Sequence, residues 1–567
     1  MASTTLRKHV AALRPYFVRA TLFSLVSALL ILAPSAYMLE VYGRVVDSRS
    51  HMTLAMLTVA VVGAYALMEV MDWARHEIMQ DAGLAFDKDL RSRIFHSMFD
   101  ASVRRLPGAG AQSLADLRSL REFLASPPLL ALMEAPVSVV CLVLIFAMSP
   151  VLGWSALVGA LIHVTVAWLN ERSTRPPLIA ANLRSIVAEQ YALNTQRHAQ
   201  VVESMGMLGA IHQRWFALQQ EFLQLQAQAS GRAGLYQATG KFFQITMGSA
   251  LLGLGAWLLL HEALNGGAGM VIVGSILGGR VTAPVVQMVA QWRWVVGAHD
   301  AYQRLANALE SLPPQPATMP LPVPKGVVQV DKVIATAPGG NVPLLKGVDF
   351  TLVPGDVLAV VGPSAAGKTT LARLLVGVWP AASGKVRLDG ADLFAWNKAE
   401  VGPFIGYVPQ VVELFDGTVA ENIARFGAVD MRKVHAAAQT AGVHDWIMSL
   451  PSGYDTTIDH SGGFLSGGQR QQIALARAYY GAPVFIVMDE PNANLDEAGE
   501  VALASAIQSL SRQGTTFVVM THRTNVLSVA GKMLILKEGV VHALGRRDEV
   551  LAALHQSRQQ TANLPSS

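Results

Sequence analysis

The sequence predicts a polytopic α-helical membrane domain followed by an α/β domain with a largely parallel sheet. Three observations predict it. Apolar residues make up 52% of the 567 residues and charged ones only 15%, against about 25% charged in ordinary soluble domains, and mean hydropathy is +0.36. Six apolar stretches before residue 300 are long enough to cross a bilayer core, which takes about 20 residues of helix. After them, strand-like apolar runs at 357–361, 484–488 and 516–520 alternate with helical stretches, the pattern of a parallel sheet flanked by helices. These figures exclude a disordered chain, a coiled coil and a wholly soluble enzyme. The single cysteine, Cys141, excludes a disulfide framework and a multi-cysteine metal site. With 44 basic and 40 acidic residues the net charge is +4, too modest to point to nucleic acid.

The spans are expected at 17–38, 52–71, 128–148, 151–169, 243–261 and 269–289. Short links join the first to the second, the third to the fourth and the fifth to the sixth, while long polar segments, 73–127 and 170–242, separate the pairs. Basic residues resist translocation. They crowd the long segments and the N-terminus, where Arg7, Lys8, Arg14 and Arg19 stand. Among the short links only the first carries arginines, Arg44 and Arg49, balanced by Glu40 and Asp47. Both termini are therefore expected to face the cytoplasm. A cleaved signal peptide is disfavoured because five further spans follow and the first is long for such a segment.

The polar segments are expected to be helical. Residues 185–228 are rich in Ala, Leu, Gln, Glu and Met and hold no proline, a strong helix composition. About 25 helical residues beyond the membrane would reach roughly 40 Å. Pro313, Pro314, Pro316, Pro320, Pro322 and Pro324 then make a stiff, extended linker. The expected division is a membrane domain over 1–310, a linker over 311–326 and an α/β domain over 327–567.

The chemistry sits in the last part. The apolar strand 357–361 runs into Gly362-Pro-Ser364-Ala-Ala-Gly367-Lys368-Thr369-Thr370 and then a helix-forming stretch, which matches the phosphate-binding loop in its required strand–loop–helix context. Its glycines turn backbone N–H groups around phosphates, and the helix N-terminus favours their charge. Lys368 is placed to reach the terminal phosphates and Thr369 to offer a hydroxyl to Mg²⁺. The apolar strand at 484–488 ends in Asp489-Glu490. A carboxylate there can hold Mg²⁺, the part expected of Asp489, while Glu490 can polarise the attacking water. Leu465-Ser466-Gly467-Gly468-Gln469 precedes another helix and is far more specific than a bare glycine turn.

With these motifs in order, the region from about 327 to 551 resembles the nucleotide-binding domain of ABC transporters. The resemblance implies ATP and Mg²⁺ as cofactors, and an α/β P-loop ATPase domain with a helical subdomain fused to a six-helix membrane domain of the ABC exporter type. It also implies roles. Gln410, in Tyr407-Val-Pro-Gln410, would link Mg²⁺ to the membrane domain. Asp496 would lie on the loop that crosses the dimer interface, and His522 would contact the γ-phosphate. Ser466, Gly468 and Gln469 would close on the ATP held by Lys368 of a second chain, so the transporter would be a homodimer with two hydrolytic sites. Two positions depart from the family pattern: no aromatic ring for adenine stands near Ala335–Ala337, and His460 replaces the glutamate that many exporters carry before the signature.

The whole chain further resembles type I secretion permease/ATPases of the PrtD-like branch, through 39–50, 201–208 and 412–423, although Gly43 stands where relatives are expected to have Asp. The first span starts near residue 17, which leaves no room for an N-terminal peptidase domain. Such a system implies a secreted polypeptide with a C-terminal signal, a periplasmic membrane-fusion protein, an outer-membrane channel and a place in the bacterial inner membrane. A lipid or drug exporter, and an ATP-gated channel or regulator, are the alternatives. Charged residues inside spans cost several kcal/mol unless paired or wetted. Arg280 and Glu134 are thus candidates for the transport pathway, or for a structural pair with each other; His163 is a further candidate, Asp72 reads as interfacial and Cys141 as packing.

Overall fold

The computed structural model describes residues 4–104, 112–264, 267–311, 321–337, 340, 342–459 and 465–553. Residues 312–320 of the expected linker, His460 and the tail 555–567 lie outside them. The chain forms two compact units that divide after Pro313.

The first unit is helical: α1 (Thr4–Ala12), α2 (Arg14–Leu30), α3 (Ala33–Glu40), α4 (His51–Arg104), α5 (Gln112–Leu124), α6 (Pro127–Met148), α7 (Pro150–Arg197), α8 (Ala199–Ser204), α9 (Leu208–Leu260), α10 (Gly267–Ala290) and α11 (Trp292–Ser311). Among the described residues five helices are long and apolar enough to span a bilayer, one fewer than expected. The expected first span is broken at Ile31–Leu32, just before Pro34, because a proline ring clashes with the carbonyl four residues back and cannot donate to it. A π-helical turn, Val41–Val45, follows and contains Gly43.

The polar segments are helical continuations of the spans. The 54 residues of α4 reach about 80 Å at 1.5 Å each, far beyond a hydrocarbon core of about 30 Å. Residues 185–228 are not one helix. The path turns at His198 and again at Met205–Met207, where Gly206 takes φ +62°, and the short α8 lies between two long rods. Composition favours helix throughout this stretch, so the turn rests on the one residue that enters the left-handed region without steric cost.

Within the unit, Cys141 and Ile145 of α6, Leu152 and Ala156 of α7, Leu251 and Leu258 of α9, and Leu277 of α10 form a buried core. Gly153, Gly159 and Gly278 let these helices close up: a Cβ on each would collide with Phe146, Met247 and Leu251 respectively. Small residues at contact points are how helices pack in lipid, where apolar side chains gain little from association alone. Val59, Leu161 and Trp257 remain exposed, as lipid-facing residues do.

The structure rearranges the expected charge pairs. Glu134 is paired with Arg75, whose Nη1 donates to Glu134 Oε1 at 2.8 Å and to Ser24 Oγ at 3.3 Å. Asp72 lies 3.4 Å from Arg75 Nη2 and accepts from Ser27 Oγ at 2.9 Å. Asp72 therefore belongs to a partly buried network tying α2, α4 and α6. Arg280 takes no part in that network, and its side chain is exposed. His163 is buried between Gly159 O at 2.8 Å and Gly240 O at 3.1 Å, so it braces α7 on α9 and is no route candidate. Cys141 is 1% exposed and packs in the core as expected.

The second unit carries two main sheets besides a short two-stranded pairing of 417–418 with 457–458. The larger has the order β10–β9–β3–β8–β7–β6, with β3 Val357–Val361, β6 Ile405–Val408, β7 Phe485–Asp489, β8 Thr516–Met520, β9 Lys532–Lys537 and β10 Val540–Arg546. All its neighbours are parallel except β9 and β10. β3, β7 and β8 read as continuous apolar runs because both faces are covered. An antiparallel four-stranded sheet, β2 (Pro343–Leu352), β1 (Val328–Thr336), β4 (Ser383–Leu388) and β5 (Ala391–Asp392), accompanies it. Helices α12 (Lys368–Leu375), α16 (Gly467–Tyr479) and α17 (Glu497–Arg512) bear the motifs, and α13 (Val419–Ile423), α14 (Met431–Thr440) and α15 (His444–Met448) form a helical subdomain.

Replacing Glu134 with Gln leaves the Arg75 guanidinium, 6% exposed, short of its strongest counter-charge. The expected cost is about 2 kcal/mol, read as a lowered melting temperature in detergent. The Arg75→Met, Glu134→Leu double variant should recover most of it.

Candidate ATP-binding and hydrolysis site

Strand register places the site. Met520 of β8 is level with Val360 of β3 on one side and with Asp489 of β7 on the other. The three loops that leave these carboxyl ends carry Gly362–Thr369, His522 and Glu490, the usual place for a ligand in a parallel sheet.

The phosphate loop closes through its glycines. Gly362 is buried where a Cβ would run into the carbonyl oxygen of Leu536, and Gly367 begins α12 at φ +102°. Ser364 is exposed on the loop, and Thr370 is buried in the first turn of α12. Lys368 Nζ donates to Gly362 O at 2.7 Å and Pro363 O at 3.3 Å, and lies 2.7 Å from His522 Nε2. Burial lowers the Lys368 ammonium from its ordinary range, and the Glu490 and Asp489 carboxylates oppose that shift.

Asp489 is 1% exposed. Burial raises its carboxyl, and a hydrogen bond from the Thr369 side chain pulls the other way. Its Oδ2 is buried without a hydrogen-bond partner. An anionic oxygen left bare in a buried pocket beside a hydroxyl and a phosphate loop has the donor chemistry of a Mg²⁺ site, so these residues fit the cation.

Glu490 takes φ +52°, a left-handed conformation that costs a non-glycine residue about 1 kcal/mol or more. Its amide donates to Met520 O at 2.9 Å, which pins the turn. The carboxylate accepts from Gln410 Nε2 at 3.2 Å and lies 4.0 Å from His522 Nε2. Lys368, Thr369, Asp489, Glu490, Gln410 and His522 thus converge at one place.

Ser466, Gly468, Gln469 and Asp496 belong to a second group. Ser466 and Gln469 form a capping box at the start of α16, with Gln469 N donating to Ser466 Oγ at 3.2 Å and Ser466 N to Gln469 Oε1 at 2.8 Å. Asp496 caps α17 by accepting from Gly499 N at 2.8 Å. The two caps are joined locally: Gln471 Nε2 donates to Pro491 O at 2.9 Å, and Gly468 leaves room for Asn494 O. Among the described residues no contact is recorded between this group and Lys368. At the adenine position Ala335 is fully buried, so Thr336 and Ala337 are what the strand offers there, and neither is aromatic.

Sequence reasoning missed a staple behind the site. Arg425, at φ +58°, directs all its N–H groups to main-chain carbonyls: Gly402 and Ile405 at the start of β6, and Arg477, Ala478 and Tyr480 at the end of α16. Arg477 in turn donates to Glu413 O at 3.0 Å and to Asn422 Oδ1 at 2.7 Å. Burial, then the neighbouring Arg425 charge, pulls the Arg477 guanidinium down to about 10. The staple holds the strand that leads to Gln410 against the helix that starts at Ser466. Its only sequence signal is an arginine inside an apolar stretch, which is too weak to read.

Comparison with known proteins agrees with this geometry. Residues 345–493 match the family model for the ABC transporter, and residues 17–277 match that for the ABC transporter transmembrane region. The type I secretion system ATP-binding protein PrsD of Rhizobium meliloti is 36% identical over 548 residues, 96% of this chain and 94% of that protein. The chain belongs to the ABC transporter family. Within the family it is also similar to the cyclolysin secretion/processing ATP-binding protein CyaB of Bordetella pertussis, 27% identical over 94% of this chain and 75% of that one. Its fold is that of a solved bacterial Atm1-family ABC exporter with ATP bound, with a TM-score of 0.82 at 22% identity, covering 98% of this chain and 100% of the other. This ABC transporter therefore binds ATP and is an ATPase coupled to transport.

Changing Arg425 to Gln should lower the stability of the ATPase unit by about 2 kcal/mol, since carbonyls on two segments lose a charged donor. Scanning calorimetry of the full chain reads this as an earlier transition of that unit.

Proposed function

We propose that the chain is the inner-membrane ABC component of a type I secretion system and drives ATP-dependent export of a polypeptide. The observation that carries this reading is the near-full-length relationship to a type I secretion ATP-binding protein, joined to a site where the phosphate loop, Gln410, Asp489-Glu490 and His522 converge. In this reading the chain works as a homodimer, both termini face the cytoplasm, and it pairs with a periplasmic membrane-fusion protein and an outer-membrane channel. The cargo carries a C-terminal signal. The functional domains are 1–310 and 327–567, joined by 311–326.

Residue roles follow from the site. Gly362, Ser364, Gly367, Lys368, Thr369 and Thr370 hold the ATP phosphates. Thr369, Asp489 and Gln410 hold Mg²⁺, which when bound neutralises phosphate charge. Glu490 accepts a proton from the water that attacks the γ-phosphorus, with its carboxylate oriented by Gln410. The P–O bond to ADP breaks as the new bond to water oxygen forms, and Lys368 and His522 stabilise the charge on the departing phosphate. Ser466, Gly468, Gln469 and Asp496 contact the nucleotide bound by the second copy. Their separation from Lys368 supports that arrangement, since one chain does not bring the two groups together. The lack of an adenine stack, worth about 1–3 kcal/mol, favours tolerance of other nucleoside triphosphates.

For the pathway, Arg280 is the stronger candidate, because Glu134 is engaged by Arg75 while Arg280 is exposed in a span. Replacing Arg280 with Gln should reduce secretion at an unchanged level of membrane-inserted protein; a parallel fall of both would refute the assignment.

The Glu490→Gln variant should bind ATP normally and lose about 100-fold or more in steady-state hydrolysis. Wild-type turnover by that variant would remove Glu490 from the chemistry. Deleting the gene should remove at least one polypeptide from the culture medium, read by comparing secreted proteins.

A further inference from the structure

The first unit carries an apolar cavity of about 360 Å³ that is open on one side. Its wall is made by Leu13, Phe17, Phe86, Phe123, Leu129 and Ala298, from α2, α4, α5, α6 and α11 and the junction of α1 with α2. The lining is almost wholly apolar, His299 and Tyr302 being its polar members. Phe17 opens the apolar stretch 17–38 and Leu129 stands at the start of 128–148. Phe86 and Ala298 lie beyond the apolar stretches 52–71 and 269–289, so the cavity sits at the end of the expected spans that bears the N-terminus and extends past it.

Helix α1 supplies the rim. Leu6 is fully buried and Leu13 is 4% exposed, so both fix the helix to the unit. Val10, between them, lines the cavity yet remains exposed. Arg7 and Arg14 flank Val10 three residues before and four after, spacings that share one helix face, and the backbone stays right-handed helical through Leu13. Arg7, Lys8 and Arg14 are exposed and take part in no ion pair among the described residues. An apolar hollow at the membrane boundary and a rim of unpaired cations make the two-part chemistry that an acyl chain with an anionic headgroup satisfies.

We propose that this cavity holds one acyl chain of an anionic phospholipid, with its phosphate against Arg7 and Arg14. The proposal rests on the membrane topology proposed above only in placing that lipid in the cytoplasmic leaflet. The exposed cations do no packing, so removing them leaves the fold intact and isolates the headgroup contribution.

The full chain, purified from discs of mixed phosphatidylglycerol and phosphatidylcholine, is examined by native mass spectrometry. Changing Arg7 and Arg14 to Gln should lower retained phosphatidylglycerol by about fivefold per charge, the value of one cation at an anionic surface, and leave phosphatidylcholine unchanged. A phosphatidylglycerol with a photoreactive group in its acyl chain should crosslink to Phe86, Phe123 or Tyr302. Equal retention by variant and parent overturns the proposal, and so do crosslinks confined to outward residues such as Val59 and Leu161. Cysteine labelling of α1 from either side of the membrane tests the topology separately: if α1 faces the periplasm that reading falls, while lipid retention and crosslinks still decide the site.

Discussion

Three neighbouring parallel strands that end at the same level are the constraint on which the rest of the ATPase unit depends. Because β3, β8 and β7 are in register at Val360, Met520 and Asp489, the phosphate loop, the histidine and the carboxylates leave the sheet side by side. Side chains alternate along a strand, so a slip of one residue would turn Asp489 to the opposite face. Both faces are covered, Phe485, Val487 and Val518 packing on one side and Ile486, Met488 and Val519 on the other, and that burial fixes the register.

The same site is costly to build. Lys368 and Asp489 are both buried and Glu490 is held in a left-handed conformation, each an expense that an inert loop would avoid. The opposite charges of Lys368 and the carboxylates partly offset the desolvation, and hydrogen bonds from Thr369 and Gln410 orient what remains. Behind them, Arg425 and Arg477 join the segment after Gln410 to the helix of Ser466. The segment around Gln410 and the helix that begins at Ser466 are thereby tied to each other through main-chain carbonyls.

In the membrane unit, charge follows a similar rule. Arg75 is tolerated in the apolar bundle because Glu134, Asp72 and Ser24 surround it. His163 is tolerated because carbonyls of Gly159 and Gly240 lie within hydrogen-bond reach of its ring, whose N–H can donate to one of them. Arg280 has no ion pair among the described residues, although it lines a small hollow with Ser24, Ser27 and Glu134, and an unpaired charge in a span calls for water or a passing substrate.

Much of this was legible in the residues. The phosphate loop, Asp489-Glu490, the signature before α16 and the apolar runs of β3 and β8 are local patterns; the structure brings Lys368, Asp489 and Glu490 to one place and leaves the signature in a separate group. Long-range pairing was not legible. Arg75 is far in sequence from Glu134, and nothing local distinguishes it from Arg280 as the partner. The break at Ile31–Leu32 and the turn at Gly206 were also hidden, since one lies in a continuous apolar stretch and the other in strong helix composition. The antiparallel sheet of β1, β2, β4 and β5 went unread because its strands are spread among turns and charges.

By itself, then, the amino-acid order determined the class of the chain, its membrane-crossing character and the chemistry of its phosphate loop, because each depends on hydropathy or on residues adjacent in the chain. Only the tertiary structure decided which charges neutralise each other, where the rods bend, and that two arginines staple the catalytic strand to the signature helix. Those depend on burial, and burial is settled by segments that meet only after the chain has folded.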